Sequence, residues 1–194
     1  MQADWSTYIE NTRNKGPSWL LVRTLGMIGP EQIHSALDFG SGALCDSRYL
    51  LKEGIRHVTA VDQVMPTGVL AFMAANAFTF IRSKFADYAF PAGRFNLVNA
   101  QYSLPFAPPS SFPSVWKRLI GTLAKGGIFT GQLFGQHDEW NKPASAMTFH
   151  SETEARALCE GLEILVWRTR DSLGKTADGL AKHWHTFDII AKKL

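Results

Sequence analysis

Short apolar segments alternate with helix-like segments through the middle of the chain. The apolar segments have the length and composition of buried strands and cover 35–39, 58–61, 79–85, 95–100 and 128–134. The helical patterns between them cover 45–53, 65–78 and 113–123. Parallel strands need a long crossover, usually a helix, so this alternation predicts a parallel sheet with helices on both faces. The predicted class is α/β, with three layers of the Rossmann-like kind.

The last part of the chain departs from this alternation. After a predicted helix at 151–160, which begins with the spacing of a capping box, two strands are predicted at 162–170 and 183–192. The connection 171–182 is too polar to cover a sheet face, so these strands are expected to pair as a long antiparallel hairpin. The full prediction is a seven-stranded, mostly parallel sheet in which strands 6 and 7 form a C-terminal antiparallel hairpin.

Length, charge and cysteine content exclude several classes of protein. The 194 residues suit a single domain spanning 1–194. The formal net charge of +3 arises without a run of basic residues, so a nucleic-acid partner is not expected. Cys45 and Cys159 are too few for a disulfide framework and are expected to be reduced thiols. The longest apolar stretch, 68–81, is shorter than the roughly 18 residues of a membrane span. A cytoplasmic protein without membrane association is therefore expected.

Three carboxylates follow the first three predicted strands. Asp38 ends the first strand just before Gly40 and Gly42, Asp62 ends the second, and Asp87 follows the third. Because the carboxyl ends of parallel strands meet at one edge of the sheet, these side chains are expected to lie near one ligand. An ionised Asp accepts hydrogen bonds, which suits a ribose diol, an adenine amine or a sulfonium cation but not a pyrophosphate. The pattern therefore favours S-adenosylmethionine over a dinucleotide.

Over about residues 35–135 the chain resembles the class I S-adenosylmethionine-dependent methyltransferases. The segments that carry the resemblance are 36–42 (ALDFGSG), 58–62 (VTAVD), 86–87 (AD), 95–100 (FNLVNA) and 123–129 (LAKGGIF). The sequence departs from the family pattern at Leu44, where a further glycine is usual, at Asn96, where Asp is usual, and at Lys125, where Pro is usual. The resemblance implies methyl transfer to a small-molecule acceptor. In detail it is closest to small-molecule enzymes of the tellurite-resistance and thiopurine type.

A cofactor site follows from the carboxylate pattern and the resemblance together. S-adenosylmethionine is expected to contact the ends of the first four strands and the residues just after them. These residues are Asp38, Phe39, Gly40, Ser41, Gly42, Asp62, Gln63, Ala86, Asp87, Asn99, Ala100 and Gln101.

Residues 1–34 form a second candidate element of the site. Pro17 can open a helix that ends at Gly29, and the resemblance implies that this N-terminal helical segment acts as a lid over the cofactor. Trp5 and Tyr8 could then stack on a ring, and Arg13 or Lys15 could meet a carboxylate. A plain surface helix with two aromatic residues on its inner face explains the same residues equally well.

Catalytic candidates lie in the loops expected after the fourth and fifth strands. Tyr102 follows Asn99 at the spacing used by amino-methyltransferases of nucleic acids, but the two prolines of that motif are absent. His137 precedes Asp138, which could orient the imidazole as a general base, although a solvated turn explains the pair as well. The catalytic residue is left undetermined, with Tyr102 and His137 as candidates.

Metal binding is not expected from the sequence. His183 and His185 share one face of the last predicted strand, as two metal ligands would. Zinc sites take three or four protein ligands, and the neighbouring sequence offers no Cys or acidic partner. The pair is therefore interpreted as part of a pocket rim.

Three alternatives to a small-molecule methyltransferase stay open at this point. They are an amino-methyltransferase of nucleic acids, an NAD(P)-dependent oxidoreductase on a related sheet, and a non-catalytic cofactor-binding module. The identity of the methyl acceptor and the oligomeric state have no signature in the sequence.

Overall fold

A seven-stranded sheet forms the centre of the computed structural model, which describes residues 4–75 and 77–194. In chain order the strands are β1 (Ser35–Phe39), β2 (His57–Asp62), β3 (Phe78–Arg82), β4 (Phe95–Ala100), β5 (Leu123–Phe134), β6 (Leu162–Lys175) and β7 (Ala181–Lys193). In space their order is β3-β2-β1-β4-β5-β7-β6. Strands β1 to β5 pair in parallel, whereas β7 runs antiparallel between β5 and β6. The predicted fold class and the predicted hairpin are confirmed.

Helices cover both faces of this sheet. They are α1 (Trp5–Thr12), α2 (Trp19–Ile28), α3 (Cys45–Lys52), α4 (Val69–Ala75), α5 (Phe112–Gly121) and α6 (Glu152–Ala157). Leu21 of α2 and Leu50 of α3 belong to one buried cluster, and Trp116 and Leu119 of α5 belong to another. Because strand side chains alternate between faces, the two clusters lie on opposite sides of the sheet and complete the three layers.

The C-terminal hairpin is longer than predicted. The segment 171–182, predicted as a polar connection, is mostly strand: β6 extends to Lys175 and β7 begins at Ala181. Its polar side chains are tolerated because β6 is the edge strand of the sheet, with one side open to solvent. The turn is thereby reduced to the residues between Lys175 and Ala181.

The fourth helix is shorter than the predicted 65–78, and backbone conformation explains the difference. Gly68 has a φ of +78°, which a right-handed helix does not contain, so α4 begins at Val69. At the other end Phe78 already pairs with Val58 in the sheet. The third strand correspondingly runs over Phe78–Arg82, and the last residue of the predicted 79–85 begins a 3₁₀ turn at Phe85–Asp87.

The local prediction at the start of α6 is confirmed. Ser151 caps α6 through the expected capping box with Glu154. Helices α1 and α2 lie within the N-terminal segment, of which residues 1–3 are outside the described part of the chain. Within residues 4–75 and 77–194, none of the helices combines the length and the apolar character that crossing a membrane requires.

Candidate functional site

The strand order reverses between β1 and β4, so the carboxyl ends of these two strands form the switch point where open α/β sheets bind ligands. The loop after β1 follows a left-handed path at Gly40, with φ +80°, and at Gly42, with φ +48°. A Cβ on Gly40 would collide with the Ser103 side chain. A Cβ on Gly42 would meet no described atom within 4 Å. Gly40 therefore serves internal packing, and Gly42 keeps an open space in front of the loop.

Leu44 adopts a left-handed backbone conformation of the kind that favours glycine. Its φ of 62° and ψ of 23° are left-handed, which costs a non-glycine residue roughly 1–2 kcal/mol. The Leu44 side chain is only 3% exposed and packs in the same cluster as Leu50 and Val69. Burial of a leucine side chain contributes about 1.5–3 kcal/mol, which is enough to offset the strain. Burial of its side chain thus explains how leucine is tolerated at a left-handed position.

The buried carboxylate of Asp38 connects two elements that meet at the switch point. One carboxylate oxygen accepts a hydrogen bond from Ser47 Oγ at 2.6 Å, and the other accepts one from Asn99 Nδ2 at 2.9 Å. Burial, together with the nearby carboxylate of Asp46, raises the pKa of Asp38 to about 7. Asp38 therefore holds the start of α3 against the end of β4, and a direct cofactor contact by its side chain stays a prediction.

Asp62 connects the end of β2 to the glycine loop. Its Oδ2 accepts the backbone N–H of Gly42 at 2.9 Å, and its Oδ1 accepts that of Val64 at 3.0 Å. Burial raises the pKa of Asp62, while these backbone hydrogen bonds oppose the rise. Each oxygen carries a further lone pair, so the carboxylate can still accept hydrogen bonds from a diol.

A cleft of about 680 Å³ opens beside Asp62. Two predicted cofactor residues, Gln63 and Asp87, line it on one side, and the start of α1 with Trp5 lines it on the other. The structure therefore brings the N-terminal helix to the same cleft as residues from the ends of β2 and β3.

Ser41 has a buried hydroxyl group in the glycine loop. The residue is 8% exposed, and its Oγ has no hydrogen-bond partner among the described residues. A buried hydroxyl without a partner is less stable than one in water, so this atom is suited to a hydrogen bond with a bound ligand.

Two predicted cofactor residues have fully buried side chains that cannot reach a ligand. Phe39 is fully buried and stacks on Phe85, and Ala100 is also fully buried. Ala86 is exposed, but its carbonyl oxygen accepts a hydrogen bond from Arg118 at 3.0 Å. Any contact from Phe39 or Ala100 to a cofactor must come from the backbone.

Buried amides connect the ends of β4 and β5. Asn99 Nδ2 donates to Asp46 Oδ2 at 3.0 Å, and Asn99 Oδ1 accepts from Gln101 Nε2 at 2.9 Å. Gln132 Nε2 donates to Gln101 Oε1 at 3.0 Å, and Gln132 Oε1 accepts the backbone N–H of Tyr102 at 3.0 Å. The Asn99 amide is thus fully used within the protein. Gln132 was missed, although a lone Gln inside an apolar buried strand is the sequence signal for it.

Tyr102 adopts a strained backbone conformation with a φ of 53°. Its ring packs edge-on against Trp184, with centroids 5.6 Å apart, and against Phe134 at 6.2 Å. Burial raises the pKa of Tyr102, with a further contribution from Asp188. The phenol therefore stays protonated at neutral pH, so it can donate a hydrogen bond but is a weak proton acceptor.

His137 is paired with a different carboxylate from the one predicted. Its Nδ1 lies 2.8 Å from Asp171 Oδ2 on β6, and its side chain is 68% exposed. Asp138 instead points inward, where both of its oxygens accept from Lys182 Nζ at 2.5 and 2.6 Å. The hypothesis of a solvated His137–Asp138 turn is wrong for Asp138, because the β5 loop folds back onto β7 and buries this carboxylate.

Lys182 is the counter-ion of Asp138. The sequence did not indicate this role, because Lys182 lies in the segment 171–182 that was predicted to be a polar connection. The side chain is 2% exposed, and its ammonium group lies 3.7 Å from the centre of the Trp184 ring and 4.3 Å from that of Trp140. Its third hydrogen bond goes to the backbone oxygen of His183 at 3.2 Å. Asp138 and Lys182, here called the loop clamp, fix the loop after β5 to the C-terminal hairpin.

One face of β7 presents three polar atoms that have no hydrogen-bond partner among the described residues. They are Trp184 Nε1, Thr186 Oγ1 and Asp188 Oδ1, and alternation along the strand places all three on the side of Tyr102 and Gln132. The three residues are at most 8% exposed. Polar groups that are buried in this way are normally hydrogen-bonded, so this face is built to meet a polar molecule.

Comparisons with known proteins agree with the fold. No protein-family model and no curated protein sequence matches this chain. Among solved structures, TehB from Haemophilus influenzae superposes with a TM-score of 0.74 at 17% identity, over 98% of this chain and 67% of TehB. The 1,6-didemethyltoxoflavin-N1-methyltransferase of Burkholderia thailandensis gives a TM-score of 0.66 at 19% identity, over 90% of this chain and 78% of that protein.

The N-methyltransferase NodS from Bradyrhizobium japonicum extends this agreement to whole-chain length. It gives a TM-score of 0.64 at 14% identity, and the match covers 98% of this chain and 99% of NodS. Strand order, antiparallel hairpin and these superpositions together show that the chain has the fold of the class I S-adenosylmethionine-dependent methyltransferases.

Proposed function

We propose that the chain is a methyltransferase that uses S-adenosylmethionine to methylate a small molecule. The observation that carries the proposal is the convergence of Asp62, the open position at Gly42 and the unpartnered Ser41 hydroxyl at the switch point of the sheet. Two of the superposed proteins, which are named as methyltransferases, were solved with S-adenosylhomocysteine, and this supports the same cofactor here.

The residues of the site fit the parts of this cofactor. Asp62 would accept both ribose hydroxyl groups, because a carboxylate offers about four acceptor positions and the backbone N–H groups of Gly42 and Val64 leave some of them open. Asp87 and Gln63, which line the cleft, would face the adenine. Ser41 and the backbone at Gly42 would meet the methionine part. When bound, the cofactor supplies an electrophilic methyl group on a sulfonium ion.

The chain contributes orientation and exclusion of water rather than bond-making groups. Trp5 lines the cleft and contacts Phe106 with ring centroids 4.6 Å apart, so α1 touches the loop after β4. This contact supports the proposal that the N-terminal segment of one domain spanning 1–194 acts as a lid.

The acceptor would lie over the face of β7 that carries the unpartnered polar atoms. Trp140, Trp184 and Tyr102 form an aromatic wall, with ring centroids 5.5 Å apart for the first pair and 5.6 Å for the second. Trp184 Nε1 and Thr186 Oγ1 can donate hydrogen bonds, and Asp188 Oδ1 can accept one. This combination suits a small, ring-shaped acceptor with both donor and acceptor groups.

Of the two catalytic candidates, Tyr102 has more support as a residue on the acceptor side. Its ring packs on Trp184, whereas the His137 ring stacks on His185 with centroids 4.7 Å apart. Neighbouring residues of a strand point to opposite faces, so the two candidates lie on opposite sides of β7. Tyr102 would orient the acceptor through its hydroxyl group, and no proton acceptor is assigned.

Methylation of a nucleic-acid amine has less support. Enzymes of that kind use an Asn or Asp at the place of Asn99, but Asn99 is 0% exposed and its amide already bonds Asp46, Asp38 and Gln101. The small-molecule acceptor is therefore the better proposal.

Titration calorimetry tests the cofactor directly. The full chain should bind S-adenosylmethionine and S-adenosylhomocysteine and should not bind NADH. Asp62→Ala should weaken both affinities about 100-fold, because two hydrogen bonds to a charged group are lost. Asp62→Asn keeps one acceptor oxygen and should fall between the two.

Glu163→Ala is the matched control, since Glu163 is an exposed carboxylate at the start of β6, remote from the switch point. Circular dichroism confirms that each variant is folded before titration. Tight binding of NADH without binding of the adenosyl compounds would overturn the proposal, and an unchanged affinity in Asp62→Ala would refute the ribose contact.

A further inference from the structure

Three histidines surround one aspartate where the hairpin meets the loop after β5. Asp171 Oδ2 lies 2.8 Å from His137 Nδ1, and Asp171 Oδ1 lies 2.6 Å from His183 Nε2. The His185 ring stacks on the His137 ring. This arrangement supplies the acidic partner that is absent from the sequence next to His183 and His185.

The fold brings these four residues together for identifiable reasons. Asp171 of β6 is directly opposite His185 of β7, and alternation places His183 on the same face as His185. The backbone N–H of His137 donates to His185 Nδ1 at 3.1 Å, which fixes the loop over the hairpin. Gly135 allows this approach, because a Cβ there would collide with the His185 ring.

We propose that His137, Asp171 and His185 bind a divalent transition-metal ion, with Zn²⁺ as the reference ion. Their candidate ligand atoms all lie within 4.8 Å of one another. Ligand atoms that share a tetrahedral ion at bond lengths of about 2.0–2.2 Å lie roughly 3.4 Å apart. The 2.8 Å hydrogen bond between His137 Nδ1 and Asp171 Oδ2 would therefore lengthen by about half an ångström as two metal bonds replace it. Imidazole and carboxylate together are a usual ligand set for zinc, nickel and copper.

His183 is a positioning residue in this arrangement rather than a ligand. It holds the second oxygen of Asp171, as hydrogen-bonding partners of metal-bound carboxylates commonly do. Solvent has access to the site, since the His137 side chain is 68% exposed and that of Asp171 is 40% exposed.

Binding of the metal through His185 has a cost in free energy, because an existing hydrogen bond of its ring is lost. Its Nδ1 accepts the His137 N–H, so binding through Nε2 moves the ring proton and ends that hydrogen bond. We therefore expect a dissociation constant on the order of micromolar. The bound ion would join the β5 loop to both strands of the hairpin, on the opposite side of β7 from Trp184, and would thus stabilise the fold without taking part in methyl transfer.

The test uses the full chain without a histidine tag, treated with EDTA and then titrated with ZnCl₂ by calorimetry and with CoCl₂ by visible absorption. Wild type should bind one ion, and Co²⁺ should produce a visible ligand-field band. His137→Ala and Asp171→Asn should lower the affinity at least about 100-fold and remove the band. His183→Gln should weaken binding about 10-fold, because outer partners typically contribute 10- to 100-fold.

His57→Ala is the matched control, because His57 is an exposed histidine at the opposite end of the sheet, at the start of β2. It should bind Zn²⁺ as wild type does, and ZnCl₂ should raise its unfolding temperature but not that of His137→Ala. The proposal is overturned if wild type binds no ion at hundred-micromolar Zn²⁺, or if His137→Ala and Asp171→Asn bind it as wild type does. Neither result bears on the cofactor, which is measured separately.

Discussion

Removing the ammonium group of the loop clamp should destabilise the protein strongly. In Lys182→Met the side chain keeps nearly the same length, but Asp138 loses both hydrogen bonds from Nζ. The carboxylate stays buried and keeps two backbone donors, Trp140 N at 3.0 Å and His185 N at 3.2 Å.

The magnitude follows from the burial of the pair. Side chains of Lys182 and Asp138 are 2% and 0% exposed, so solvent cannot replace the missing partner. Removing one member of such a buried pair typically costs about 3–5 kcal/mol. The aromatic faces of Trp140 and Trp184 can pack against the methionine thioether, so we expect the lower part of this range, about 3 kcal/mol.

Urea unfolding followed by far-ultraviolet circular dichroism measures the effect as a shift of the midpoint at constant slope. The double variant Lys182→Met/Asp138→Leu removes both charges and should recover most of the loss, because an apolar pair of similar volume replaces the ion pair. The assignment of Asp138 and Lys182 as a coupled pair would be refuted if Lys182→Met were as stable as wild type. It would also be refuted if the double variant lost as much free energy of unfolding as Lys182→Met and Asp138→Leu lose together.

Two further predictions concern the switch point. Gly40→Ala should unfold at a clearly lower temperature than wild type, since its Cβ collides with Ser103. Gly42→Ala should lose less stability, but calorimetry should show that it loses most of its affinity for S-adenosylhomocysteine. Equal behaviour of the two variants would contradict the assignment of Gly40 to packing and of Gly42 to ligand binding. Burial raises the pKa of Asp38 to about 7, so between about pH 4 and pH 7 the folded chain holds a proton that the unfolded chain has released. The free energy of unfolding should therefore fall as pH rises through this window. Urea titrations at pH 5 and pH 8 should show a smaller fall for Asp38→Asn than for wild type. An equal fall in both proteins would assign the pH dependence to other groups.

The strand pattern could be predicted because it depends on local chemistry. Buried parallel strands need continuous apolar segments, and each of these segments is visible in the sequence. The C-terminal hairpin was underestimated because its outer part, from Asp171 onward, is stabilised by backbone pairing at a sheet edge, which leaves no apolar pattern.

The location of two elements at the switch point was predictable from their position in the chain. Asp62 and the glycine loop follow from strand ends alone. The partners of Asp138 and His137 were not predictable, because Lys182 and Asp171 reach them only through the fold-back of the β5 loop over the hairpin. Contacts between residues that are distant in sequence depend on tertiary register, which no local pattern encodes.

The left-handed Leu44 has a mechanical consequence for ligand binding. A glycine at this position would let the loop pivot, but Leu44 ties the loop to the apolar layer beneath α3 and α4. The loop therefore loses little conformational entropy when a ligand binds, and its shape is set by packing rather than by the ligand. Substitutions deep in that layer, for example at Val69, should consequently change ligand affinity from a distance.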